Sequence, residues 1–206
     1  MASELSLRQI LIMSRISALI GIREESSFRK EILTALSEKI SVSILREVVL
    51  QSYLFAGYAA AINAFHIVNE LVPGDSEFLI ESDGSLEIWK ARGIELCKRI
   101  YGDQYDKLLH NMDRLHPELS DWMIVEGYGK VLSRPILSPR VRELLIVGTT
   151  AALGVERQFH SHVRGALNVG ATAEELRQVF AATLPLISTD AQERIRAILE
   201  KVLAPS

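Results

Sequence analysis

The sequence contains a single cysteine, Cys97, among its 206 residues. One thiol cannot form an intrachain disulfide, and it cannot supply the paired cysteines of a redox CxxC motif or of a cysteine-rich zinc site. Few cysteines fit a reducing compartment, so we expect a cytoplasmic protein. Because Leu96 and Ile100 flank it on a predicted helix, we interpret Cys97 as a small packing residue.

The chain also lacks an excess of charge of one sign and long apolar runs. Its formal net charge is −3, so no basic field indicates a nucleic acid or an anionic lipid as a partner. No uninterrupted apolar run approaches 18 residues, and acidic Glu4 precedes the first apolar stretch. We therefore expect neither a membrane span nor a signal peptide.

No segment alternates apolar and polar residues over more than a few positions, which leaves an all-α chain built of helical hairpins. Ser6 with Gln9, and Thr172 with Glu175, have the spacing of capping boxes. Gly21 is predicted to end the first helix. The predicted helices cover 6–21, 26–39, 42–71 (bent or broken at Gly57), 85–102, 117–126, 139–153 (Ser138 N-cap, Pro139 at N1), 155–169, 173–187 and 190–203.

Two parts of the chain resemble each other at a nearly constant offset. The segment from Ser27 matches the segment from Gln158 at an offset of 131 residues, and the segment from Arg8 matches that from Arg142 at an offset of 134. We interpret them as tandem copies of one helical unit. The alternative is that two amphipathic hairpins look alike because they share one period.

The tandem reading divides the chain into an N-terminal unit over 1–71, a linker over 72–85 and a C-terminal unit over 86–206. The linker is rich in proline, glycine and acids, as surface loops are. In the aligned registers Glu31 stands opposite His162, and Gln9 opposite Glu143. We therefore expect chemistry in the C-terminal copy, with the N-terminal copy degenerate.

A polar cluster fills the start of the predicted helix 155–169. Val155, Gln158 and His162 share one helical face, which we expect to point inward. Glu143 lies on the preceding helix of an antiparallel hairpin and is predicted to approach His162. A carboxylate favours the protonated imidazole and so suits it to act as a general acid. The alternative is a buried polar contact with a purely structural role.

The remaining polar residues of the segment are assigned by position. We expect Glu156, Arg157 and His160 to point outward from the helix. Arg164, or Arg134 before Pro135, could hold a substrate carboxylate through a bidentate guanidinium contact.

Residues 92–180 resemble the carboxymuconolactone decarboxylase family, which is related to alkylhydroperoxidase D. The resemblance rests on "EGYGKVLSRP", "REL", a histidine followed by "GALNVGAT", and "EEL". It implies an alkylhydroperoxidase D-like fold of helical hairpins. It also implies a ring-shaped homo-oligomer, which two fused units could close as a trimer or hexamer.

The same resemblance assigns roles residue by residue. The glutamate and histidine of the peroxidase branch fall on Glu143 and His162, whereas its two cysteines fall on Val155 and Gln158. Neither of these can form a thiolate, so a peroxidase cycle is disfavoured.

The decarboxylase branch implies loss of CO₂ from a small carboxylated lactone, with no metal or organic cofactor. His162 is then the proton donor, Gln158 a substrate contact, and Arg134 or Arg164 the cation. A non-catalytic helical assembly protein that kept the family scaffold is the alternative.

Overall fold

The computed structural model describes residues 5–73 and 84–204. All regular secondary structure in these residues is helical, and they contain no β-strand. The all-α prediction is confirmed. Most of the predicted linker, 74–83, lies outside the described residues, as does Glu4. Over the described residues, none of the helices is both long and apolar enough to span a bilayer. The helices are α1 (Leu7–Ile22), α2 (Glu25–Ser37), α3 (Val42–Ala56), α4 (Tyr58–Leu71), α5 (Leu86–Tyr101), α6 (Tyr105–Leu115), α7 (Leu119–Trp122), a π-helix (Met123–Leu132), α8 (Pro139–Ala152), α9 (Glu156–Asn168), α10 (Ala173–Thr183) and α11 (Thr189–Leu203).

Local signals set most helix starts. Both predicted capping boxes form, at the N-termini of α1 and α10. Ser138 caps α8 and Pro139 occupies its first turn. Gly57, with φ 84°, separates α3 from α4.

The end of α1 differs from the prediction. The helix runs through Gly21 to Ile22, and Arg23 adopts the left-handed conformation at φ 60°. Gly21 instead lies against α8, where a Cβ would meet the Thr149 methyl at 3.3 Å and Leu153 at 3.4 Å. Its small size therefore serves helix packing.

Helices α1 and α8 pack against each other at the centre of the main core. The contact uses small residues: Ser17 and Thr149 share a hydrogen bond of 2.7 Å, and a Cβ on Gly148 would lie 3.2 Å from the Ser14 carbonyl oxygen. Going from Ser14 to Ser17 along α1 corresponds to going from Gly148 to Thr149 along α8, so the two helices are parallel. Helices α2 and α3 flank α1, and α9 and α10 flank α8. The tandem duplication and its boundaries stay predictions.

The π-helix was not foreseen, because the apolar pattern after Pro117 predicts an ordinary α-helix. It packs closely on α5: a Cβ on Gly93 would fall 2.1 Å from the Ile124 carbonyl oxygen, and one on Gly129 would fall 1.9 Å from that of Trp89. No other residue type fits at such backbone contacts. The pair builds a second apolar cluster beside α8 and α9.

Candidate functional site

Glu143 on α8 and His162 on α9 form a buried pair. The turn 153–155 is short and folds the two helices against each other. Nδ1 of His162 lies 2.9 Å from Oε2 of Glu143, and their side chains are 8% and 1% exposed. An ionised carboxylate can only accept, so Nδ1 carries the hydrogen and Nε2 is the nitrogen available to a ligand.

Gly165 makes room for this pair. A Cβ at this position would lie 2.7 Å from Ile100 and 2.9 Å from Oε2 of Glu143. The carboxylate therefore packs directly on the backbone of α9, one turn from His162. Position 165 belongs to the "GALNVGAT" stretch on which the family resemblance rests.

His162 lies at the wall of a cavity of about 720 Å³. The wall comes from α3, the end of α5, α6, the π-helix and α9. The cavity is lined by Leu54, Phe55, Tyr101, Leu108, Asn111, Met112, Arg114, Leu115, Met123, Gly127, Tyr128, Leu132, Arg157, Gln158, Ser161 and His162.

Two tyrosines supply hydroxyl groups beside the imidazole. The Tyr128 hydroxyl donates to that of Tyr101 at 2.9 Å. Burial, followed by the charge of Glu143, raises the pKa of Tyr101; burial, followed by Tyr101 and Glu143, raises the pKa of Tyr128. Both phenols therefore stay protonated at neutral pH, and Tyr101 keeps a hydrogen for a ligand. The edge of Phe55 packs against the His162 ring, with centroids 5.5 Å apart.

Sequence reasoning missed both tyrosines because it searched for charged groups. One signal was present, since Tyr128 stands inside the "EGYGKVLSRP" motif.

The cations at the cavity are Arg114 and Arg157. Both are exposed, and neither forms an ion pair with any other described residue. Arg157 is exposed, as its predicted outward position requires, and its side chain also borders the cavity mouth. It stands one residue before Gln158, and the cavity mouth is wide enough to include both side chains.

Arg134 does not reach this cavity. Its Nε lies 2.9 and 3.1 Å from the two carboxylate oxygens of Glu47. Glu47 also accepts from Arg142 at 2.7 Å, and Arg142 in turn bonds Gln51 at 2.9 Å. Because Glu47 is 87 residues away in sequence, local spacing could not reveal this network. Arg134 is thus ion-paired with Glu47 outside this cavity, and its role as a substrate contact stays a prediction.

Arg164 and His160 line a neighbouring cleft of about 290 Å³ instead of the His162 cavity. Burial lowers the pKa of His160, and the charges of Arg164 and Lys201 lower it further. His160 is therefore neutral at pH 7. The predicted contact of Arg164 with a substrate beside His162 does not fit this placement.

The predicted inward face of α9 is correct for two of its three residues. Gln158 and His162 line the cavity. Val155 is the N-cap residue of the helix, is 37% exposed and lies outside the cavity wall. Helical periodicity does not hold at a cap, where the backbone leaves the helix. Glu156 points outward, as predicted, and pairs with Arg194.

Cys97 is fully buried in the second apolar cluster. This position agrees with its interpretation as a small packing residue. Burial, with a smaller contribution from Glu143, raises the pKa of its thiol to about 12. Within residues 5–73 and 84–204, no three histidine, cysteine or acidic side chains are grouped closely enough to hold a metal ion.

Comparison with known proteins finds similarity over the C-terminal helices. Residues 118–201 match the model of the carboxymuconolactone decarboxylase family. The chain is 27% identical over 89 residues to the 4-carboxymuconolactone decarboxylase of Acinetobacter baylyi, covering 43% of this chain and 66% of that protein. The family match over residues 118–201 contains α8 and α9 and therefore both members of the buried pair.

Two yeast proteins, each named Peroxisomal protein 2, are also similar. The one from Schizosaccharomyces pombe is 30% identical over 135 residues, 64% of this chain and 63% of its own length. The one from Saccharomyces cerevisiae is 23% identical over 164 residues, 65% of this chain and 57% of its own length. The chain thus spans about three fifths of the length of the curated relatives it matches. The helices that carry the Glu143–His162 pair thus lie within a segment that is similar to the carboxymuconolactone decarboxylase family.

Proposed function

We propose that the chain is a cofactor-independent carboxy-lyase that removes CO₂ from a small carboxylated lactone or a related acid. The observation that carries the proposal is the Glu143–His162 pair at the wall of a cavity. Glu143 holds Nδ1–H at 2.9 Å, which fixes the ring and directs the Nε2 side of the imidazole to a bound substrate. The family match over residues 118–201 and the similarity to a named decarboxylase support the same reaction class.

The proposed reaction needs two kinds of group, one that stabilises an oxyanion and one that donates a proton. The bond between the substrate carbon and its carboxylate breaks, CO₂ leaves, and the electron pair passes into a conjugated carbonyl as a dienolate. A hydrogen-bond donor or cation must stabilise the resulting oxyanion. Protonated His162 then delivers its Nε2 proton to carbon, and solvent restores that proton.

The described residues offer a candidate for each of these groups. The hydroxyl of Tyr101 can donate to the developing oxyanion, because its raised pKa keeps it protonated. Arg157 and Arg114 can attract an anionic substrate to the cavity. Gln158 can donate from its amide to a second oxygen of the substrate.

The test is a screen of carboxylated lactones and unsaturated acids with the purified chain, read by CO₂ release. We expect turnover of at least one compound that disappears in a His162→Ala variant and persists in a His160→Ala variant on the same helix. Release that is equal in all three proteins would refute the role of His162. Absence of release across the panel would favour the second candidate, a non-catalytic assembly protein.

The second candidate is supported by exposed apolar side chains, which could form contacts between copies. Leu33 is 53% exposed, Ile62 51% and Tyr58 64%. We propose a homo-oligomer, a trimer or hexamer, for either candidate function.

We also propose a cytoplasmic location. Imaging of a fluorescent fusion would test it, and concentration in peroxisomes, after which two relatives are named, would refute it.

A further inference from the structure

The cavity beside His162 is much larger than a small lactone needs. At about 30 Å³ per heavy atom, a value taken from liquid water, an acid of about twelve heavy atoms would fill at most half of the 720 Å³. Cavities of about 300–1,000 Å³ ordinarily take drug-sized ligands. The unfilled half is open to solvent, so an apolar ligand body that displaces water from its apolar wall gains burial.

The cavity wall is largely apolar, and its polar side chains range from buried to exposed. The apolar wall consists of Leu54, Phe55, Leu108, Met112, Leu115, Met123 and Leu132. Buried Tyr128 and His162 mark the inner end, while exposed Arg114 and Arg157 mark the mouth. A matching ligand has an oxygen acceptor at one end, an apolar body, and an anionic group at the other end.

Helix α6 supports the same conclusion. None of its residues is buried, and its packing is mainly with the adjoining segments α5 and α7. Its apolar residues Leu108, Met112 and Leu115 line the cavity, and Leu115 remains 72% exposed. An apolar helix face that borders a cavity in this way gains burial when an apolar ligand binds.

We propose that this cavity binds an anionic amphiphile, an acid with an apolar body of about eight to twelve carbons. Its carboxylate lies at Arg114 and Arg157, and a carbonyl or lactone oxygen, where present, lies at Tyr101 and His162. The proposal rests on the proposed function only in placing the substrate in the same cavity. An acid bound in this orientation can be decarboxylated beside His162 only if it carries a second carboxyl group at that end, because the carboxylate at Arg114 and Arg157 lies at the mouth.

The experiment is calorimetric titration of the chain with straight-chain carboxylates of four to twelve carbons, each below its micelle concentration. We expect the dissociation constant to fall about fourfold per added methylene, as apolar burial dictates, until the cavity is full. Affinity that is independent of chain length would overturn the proposal.

Two pairs of variants locate the binding. Arg157→Gln should weaken every acid about two- to fivefold without altering the dependence on length, whereas Arg164→Gln, on the same helix but facing the neighbouring cleft, should have no effect. Met112→Glu should abolish the length dependence, whereas exposed His110→Glu on the same helix should preserve it. Because α6 buries no side chain, these changes leave folding intact. A length dependence that survives Met112→Glu would place the acids elsewhere and refute the proposal.

The outcome is separable from that of the decarboxylation test. Length-dependent binding without CO₂ release from any acid would refute the proposed reaction and support this ligand class. Release of CO₂ from a compact lactone acid, with affinity independent of chain length, would support the reaction and refute this ligand class.

Discussion

The carboxylate of Glu143 lies against the backbone of Gly165, so closely that a Cβ there would come within 2.9 Å of Oε2. We expect Gly165→Ala to lower the free energy of unfolding by about 1–3 kcal/mol through overpacking. It should also lower turnover per folded molecule, because Glu143 must move relative to His162. Urea unfolding and activity normalised to the folded fraction measure both effects.

Gly127→Ala is the matched control, since a Cβ at Gly127 meets nothing within 4 Å. This change should be neutral or stabilise the helix by about 0.5–1 kcal/mol. Equal destabilisation by both substitutions would contradict the argument from close contact.

His162→Ala should lower turnover on a confirmed substrate by about two to four decades, the usual contribution of a general acid. It should also lower stability by about 1–3 kcal/mol, because buried Glu143 loses its partner. Early melting alone therefore does not identify the role of His162. The deciding measurement is activity per folded molecule, and full activity in the folded fraction would rule out the proton-donor role.

The Glu47–Arg142 pair should be worth more to stability than any surface pair. Both side chains are at most 3% exposed, so Glu47→Ala would leave Arg142 buried without its anion, at a cost of about 3–5 kcal/mol. Arg134→Gln should cost less, because Arg134 is 14% exposed and Arg142 continues to pair with Glu47. It should leave kcat/KM of the folded protein unchanged. A loss of kcat/KM without destabilisation would support the predicted role of Arg134 as a substrate contact.

Cys97 should make stability fall at alkaline pH. Its thiol has a pKa of about 12 in the fold and about 8.5 in the unfolded chain. Between these values only the unfolded state has lost the proton, so stability declines as pH rises, by up to about 1.4 kcal/mol per pH unit. Urea unfolding at pH 8 and pH 10 should show a smaller difference for Cys97→Ala than for the unmodified chain. An unchanged difference would contradict the buried-thiol account.

Light scattering tests the proposed assembly. A trimer would appear at about three times the chain mass of 23.0 kDa and a hexamer at about six times. Ile62→Glu, at an exposed apolar position on α4, should reduce the mass if that helix forms the contact. A monomer at micromolar concentration would refute the assembly proposal.

Much of the site was predictable because it lies within one hairpin. A short connection between two helical patterns places Glu143 beside His162, and capping residues define where several helices begin. Arg134 could not be assigned in this way, because its partner Glu47 comes from α3. The place of Arg157 at the cavity mouth could not be predicted, since helical periodicity describes a core-facing stripe, whereas a wide cavity mouth includes side chains from the edges of that stripe as well.

The ten-residue π-helix has a consequence for how the protein tolerates change. Its i→i+5 hydrogen bonding places Met123 above Tyr128 and Gly127 above Leu132, and these four residues line the cavity. Removing one residue from 124–126 would favour the ordinary i→i+4 pattern and rotate Tyr128 relative to Met123. Insertions and deletions in this segment should therefore alter ligand selectivity even when every cavity side chain is retained. The length of the segment thus determines the site as much as the identity of its residues does.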